Sequence, residues 1–320
     1  MSSVNAVIIT YNQSSFIEKS IKGVIDQGLS YDYKIILHDD ASTDGTAQIC
    51  QRFKEKYPKL IQLILASKNK GMAQSWKDAI NECKANYVAI CEGDDYWCDP
   101  HKLQKQVDFL EANPGYAICC HRVYIKKDRQ RPKLYPHEFM PSKETTYDIE
   151  MMAKFGNMVV TPSVVYRNKL FSSLPSWFCQ SPIGDYVLHM MNAQYGKIKY
   201  FPEPMAVYRD HSKGAWGGQS DMVNAANLSK VLGLLLNYPF NESVNHGLKE
   251  QLQGNNAIYL NELMWEDWDR FCQEFNMMME DDKSMALALI KKMKRDMDAI
   301  RQSKTYRAVE RLRKITKGLR

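Results

Sequence analysis

Val4-Asn-Ala-Val-Ile-Ile-Thr-Tyr-Asn-Gln-Ser-Ser-Phe-Ile-Glu-Lys-Ser-Ile-Lys-Gly-Val-Ile25 is the stretch on which the fold turns. Its first seven residues are apolar and β-branched, the pattern of a strand covered on both faces of a parallel sheet. Ser15 and Glu18 then match a capping box, and Phe16, Ile17, Ile21, Val24 and Ile25 recur at helical spacing. The alternation repeats along the chain. Residues 33–38, 60–65 and 87–91 read as strands, and 46–57 and 72–83 as helices. Strands alternating with helices of about a dozen residues mean βαβ units around a parallel sheet.

Farther on, a helix is expected to Asn113, strands over 116–125, 157–166 and 198–201, and a helix over 184–195. Lys126 to Thr146, rich in charge and proline, reads as a loop or an excursion from the sheet. After Gly218 the pattern is helical. The expected division is one domain over 1–220, in two halves that meet at about 115, then a helical region over 221–320.

Bulk properties narrow the class. The 320 residues are 44% apolar and 25% charged, ordinary values for a globular chain. No run reaches the roughly 18 to 20 apolar residues of a spanning helix, and no basic region precedes the first apolar run, so a cytoplasmic protein is expected. Eight cysteines lack any C-x-x-C pair and read as reduced, mostly packed thiols. From Lys304 to Arg320 there are seven basic residues and one acid, which is the whole net charge of +6; the other 303 residues balance at 36 of each sign. A balanced body argues against nucleic acid as partner. Residues 285–320 read as a basic amphipathic helix, suited to an anionic membrane surface on the inner face of the cell membrane, or to packing on the catalytic domain or on a second copy.

Ligands of such sheets bind beyond the carboxyl ends of the strands. Those ends carry Thr10-Tyr11-Asn12, Asp39 to Gly45, Asn69-Lys70-Gly71 and Glu92-Gly93-Asp94-Asp95. Crowded carboxylates repel one another unless a proton or cation intervenes. Asp94, with Glu92 or Asp95 beside it, offers the hard oxygens that Mg²⁺ or Mn²⁺ prefers; the plainer reading is a turn that caps the next helix. Neither a G-x-x-x-x-G-K-[ST] loop nor a G-x-G-x-x-G after the first strand occurs, which disfavours a P-loop ATPase or a dinucleotide-dependent dehydrogenase.

Val7-Ile-Ile-Thr-Tyr-Asn12, His38-Asp-Asp-Ala-Ser-Thr-Asp-Gly-Thr46, Asn69-Lys-Gly71 and Glu92-Gly-Asp-Asp-Tyr-Trp97 resemble, in order and spacing, the signatures of the family 2 glycosyltransferases with the GT-A fold. The resemblance covers roughly residues 3 to 215 and implies that 1–220 is a catalytic domain, with a nucleotide-sugar half to about 115 and an acceptor half over about 116–220. It implies that Asp40 holds the donor's base, usually uracil, with Thr10 lining that pocket. Tyr11, Asn12, Lys70 and Asp95 fall in the same motifs and are taken as nucleotide-sugar contacts. Glu92-Gly93-Asp94 matches the family's D-x-D element with Glu in the first place, which makes Asp94 a metal ligand and Glu92 a ribose contact or a supporting acid. Gly184-Asp185 resembles the segment that keeps the catalytic base, with Gly184 where an acid is usual. Tyr208-Arg209-Asp210-His211 is similar to a late segment whose His completes the metal site and whose Arg meets the diphosphate. The implied reaction is inverting transfer from a nucleoside-diphosphate sugar to a saccharide or lipid-linked acceptor in bacterial surface-polysaccharide synthesis. A sugar nucleotidyltransferase would need a Gly-rich basic loop after the first strand, which Thr10-Tyr11-Asn12-Gln13 lacks; a non-catalytic relative would have lost Asp94 or Asp185. Oligomerisation through the C-terminal helices is a further expectation.

Overall fold

The computed structural model describes residues 2–127, 130–135, 143–212, 214, 216–281 and 295. Its first half is the expected alternation: β1 (Ser3–Thr10), α1 (Ile17–Ile25), β2 (Asp32–Asp39), α2 (Thr46–Lys56), β3 (Ile61–Leu65), α3 (Met72–Asn81) and β4 (Tyr87–Ile90). A two-residue strand follows, β5 (Tyr96–Trp97), then α4 (Lys102–Ala112), β6 (Tyr116–Lys127), β7 (Lys133–Leu134), β8 (Thr145–Tyr147) and α5 (Ile149–Phe155). β9 (Val165–Arg167), α6 (Gly184–Ala193) and β10 (Lys197–Asp210) complete the sheet, and α7 (Asp221–Leu236), α8 (Glu242–Glu266) and α9 (Trp268–Asp281) follow it.

The strands run in the order β3-β2-β1-β4-β9-β6-β10-β5. β1, β2, β3 and β4 pair in parallel, as do β6 and β10, while β9 and β5 run antiparallel to their neighbours. Because side chains alternate along a strand, β1 feeds two cores. Ala6 and Ile8 pack with Ile21 and Val24 of α1 and Leu103 and Val107 of α4; Val7 and Ile9 pack with Trp76 of α3, Leu188 of α6 and Val231 of α7. The second core runs on into Val244 and Leu248 of α8. The molecule is therefore a helix–sheet–helix sandwich, and α7 and α8 are part of one of its outer layers.

Two expectations fail locally. The capping box at Ser15 does not form: the Gln13 carbonyl takes the N–H groups of Phe16 and Ile17, and Glu18 pairs with Lys22 at 2.6 Å. Residues 157–163 are not strand; they run irregularly into a 3₁₀ turn at Thr161–Ser163, and only Val165–Arg167 enters the sheet. The basic segment expected as a helix over 285–320 lies, apart from Arg295, outside the described residues. Among the described residues no helix is long and apolar enough to cross a membrane.

Candidate active site

The strand ends of the first half are tied together by side chains that the sequence offered as ligand contacts. Asn12, at a left-handed φ of 51°, accepts the Thr43 N–H on its Oδ1 at 2.8 Å, and its own N–H donates to Ser42 Oγ at 2.8 Å. The buried Asp40 carboxylate accepts backbone N–H groups from Lys70 at 3.0 Å and Gly71 at 2.8 Å, which stitches the end of β2 to the loop before α3. Lys70 Nζ turns to Asp78 Oδ2 at 3.1 Å. Thr10 Oγ1 donates to Gln13 Oε1 at 2.8 Å, and Gly93 passes directly over this pair, where a Cβ would lie 2.7 Å from Thr10 Oγ1. Only glycine lets the Glu92–Asp95 loop cross the end of β1 so closely.

That loop carries the acid cluster. Oxygens of Glu92, Asp94 and Asp95 all lie within 4.8 Å of one another. Asp95 is buried; its Oδ1 accepts the Arg209 N–H at 2.7 Å, and its Oδ2 has no partner among the described residues. Antiparallel pairing of β10 with β5 places Val207 opposite Tyr96, so that residues more than a hundred positions apart meet. Arg209 Nη1 thereby donates to the Asp94 carbonyl, its guanidinium lies over the rings of Phe16 (5.1 Å) and Tyr96 (4.6 Å), and His211 Nε2 comes within 3.1 Å of Asp94 Oδ2. Burial, then the charges of Asp94, Asp95 and Asp185, pushes the Glu92 carboxyl well above the ordinary range; burial and Asp94 do the same to Asp95, against the opposing pull of Arg209.

This donor set fits a divalent cation. Hard carboxylate oxygens converge, one of them buried without a partner among the described residues, and an imidazole nitrogen faces the central acid. A cation there removes the repulsion that otherwise favours protonation.

Across the cleft, Asp185 stands in the first turn of α6. Its Oδ1 accepts the Tyr186 N–H at 2.7 Å, and its Oδ2 accepts Thr161 Oγ1–H at 2.7 Å and Asn157 Nδ2–H at 3.3 Å. Asn157 is held in turn by His189 Nδ1 at 3.2 Å. Burial lowers the His189 pKa to about 4 in spite of Asp185, so that ring is neutral at pH 7.

Thr10, Tyr11, Asp40, Glu92, Asp94, Asp185 and Arg209 all line one cleft of about 750 Å³. His211 stands behind Asp94. Asn12, Lys70 and Asp95 were expected to touch the ligand, but they are not on the cleft wall: two brace loops and the third anchors β10. The sequence reading missed Trp76, Asn157, Met158, Thr161 and Leu228, which complete the wall. Pro162 was the available signal that 157–163 could not continue as a strand.

Residues 5–173 match the family described as Glycosyl transferase family 2. The chain belongs to that family. An uncharacterized protein of Mycobacterium tuberculosis is 36% identical over 215 residues, which is 67% of this chain and 60% of that relative; this chain thus spans about three fifths of such a relative's length. Among solved structures, S. aureus TarS 1-349 in complex with UDP-GlcNAc superposes with a TM-score of 0.58 at 16% identity, over 82% of this chain and 73% of that one. Mannosyltransferase PcManGT from Pyrobaculum calidifontis, in complex with GDP-Man and Mn²⁺, gives 0.61 at 15%, over 95% and 82%. The family 2 member described here has the GT-A fold, and these likenesses speak to the fold alone.

Proposed function

We propose that this chain is an inverting, metal-dependent glycosyltransferase that moves a sugar from a nucleoside-diphosphate donor to a saccharide or lipid-linked saccharide in surface-polysaccharide synthesis. The observation that carries the reading is the opposition, in one cleft, of an acid pair, Glu92 and Asp94, and a hydrogen-bonded carboxylate on a helix N-terminus. The first suits a diphosphate bridged through a cation, the second a hydroxyl that must lose its proton. The solved relatives hold UDP-GlcNAc or GDP-Man, which supports a nucleotide-sugar donor here.

In this reading Asp40 and Thr10 bound the base pocket, and Tyr11 covers the nucleoside. Asp94 and His211, with Glu92 beside them, would hold Mn²⁺ or Mg²⁺, which when bound supplies Lewis acidity toward the departing diphosphate. Arg209, pinned between Phe16 and Tyr96, directs positive charge at the same oxygens. Asp185 accepts the acceptor's hydroxyl proton as that oxygen bonds the anomeric carbon and the bond to phosphate breaks, its electron pair leaving with the nucleoside diphosphate. The transition state resembles an oxocarbenium ion. Attack from the face opposite the diphosphate inverts the centre.

Asp185→Asn is expected to lower turnover by about 10² to 10⁴ while nucleotide binding persists. Release of nucleoside diphosphate from a panel of nucleotide sugars measures this, and wild-type turnover in that variant removes Asp185 from the role.

A further inference from the structure

Asp185 has two oxygens in unequal surroundings. A carboxylate oxygen offers two lone pairs. Oδ2 uses both, toward Thr161 Oγ1 and Asn157 Nδ2, whereas Oδ1 is bonded only to the Tyr186 N–H among the described residues. Asn157 has no freedom to turn away, because its Oδ1 accepts from the Val159 N–H at 3.2 Å and from His189 Nδ1 at 3.2 Å, which leaves its NH₂ group facing Asp185. Thr161 is itself buried and sits in the 3₁₀ turn before β9, a rigid anchor beside the sheet. The helix start is equally constrained: Trp76, fully buried, lies so close to Gly184 that a Cβ there would be 2.9 Å from Trp76 Cδ1.

We propose that Thr161 and Asn157 are positioning residues that clamp Oδ2, so that Asp185 Oδ1 is the atom that takes the acceptor's proton. The inference rests on the base role assigned to Asp185 above. The O–H bond of the acceptor breaks toward Oδ1, while Oδ2 keeps its two donors throughout, so the carboxylate does not rotate during transfer. A Thr161 side chain without its hydroxyl leaves the carboxylate a second rotamer and costs orientation, not donor affinity.

The test uses the full chain with Mn²⁺ and either UDP-GlcNAc or GDP-mannose, water serving as acceptor. It measures kcat and donor KM from nucleoside diphosphate release, and UDP or GDP affinity by calorimetry. Thr161→Val, which keeps the shape, is expected to lower kcat about tenfold with donor KM and nucleotide affinity within about twofold, as one hydrogen bond to a charged group is worth. Thr161→Ser is expected to recover most of the rate. Wild-type kcat in Thr161→Val, with Asp185→Asn inactive, overturns the positioning role and leaves the base in place. Loss of nucleotide affinity in Thr161→Val that Thr161→Ser does not restore also overturns it, as a purely structural part would behave so. Wild-type kcat in Asp185→Asn removes the base role and this inference with it.

Discussion

Glu92 and Asp95 are held where water screens them poorly, and each lies beside Asp94, so both keep their protons to higher pH than they do in the unfolded chain. The folded metal-free protein therefore binds more protons than the unfolded one between the ordinary carboxylate range and the raised values. Stability contributed below that window is lost as pH rises through it. Glu92→Gln removes one of the competing charges. Its melting temperature in chelator is expected to exceed wild type at pH 8 by about 2–4 °C, on the order of 1 kcal/mol, and to converge on wild type near pH 5. Thermal melts across that range check the slope, and a constant offset between the two proteins contradicts the account.

Among the elements, α6 delivers Asp185 and α3 sets where α6 begins. Gly184→Ala places a methyl against Trp76 and must shift one helix or the other. Overpacking of this kind costs about 1–3 kcal/mol. Turnover is expected to fall by tenfold or more with a lower melting temperature, and Trp76→Phe added to Gly184→Ala is expected to recover part of both. Measured effects that simply add contradict direct contact.

The β1-to-β4 half was legible in sequence because its strands are short apolar runs and its motifs sit at their ends, where chain direction alone places them on one edge. β10 was not, since Pro202 and Pro204 interrupt the pattern; the strand runs through them by shifting register against β6 between Phe201 and Ala206. That continuity carries Arg209 and His211 to Asp94. Asn157 and Thr161 were hidden for the opposite reason. Val159 and Val160 look like strand, but Pro162 breaks the run and turns it into the cleft wall. Motif resemblance named His211 and Asp185 without any means of reading their distances.

The whole molecule is organised around one edge of the sheet. The second core links β1 to α8 without interruption, and Asn227 and Leu228 of α7 reach the cleft. Tyr186, next to Asp185, donates its hydroxyl to the Met152 carbonyl of α5 at 3.0 Å and meets Gln251 of α8 at 3.2 Å. The late helices thus brace the start of α6 from behind, which no local pattern in residues 221–281 revealed.

On the proposed function, the acid rim binds a nucleoside diphosphate through a divalent cation. Calorimetric titration of UDP and of GDP into the wild type and Asp94→Ala, each with Mn²⁺ and with chelator, measures this linkage. For at least one nucleotide Mn²⁺ is expected to tighten wild-type binding by tenfold or more, about 1.4 kcal/mol, and Asp94→Ala to abolish the gain. Equal affinity with Mn²⁺ and with chelator, or an undiminished Mn²⁺ effect in Asp94→Ala, would contradict it.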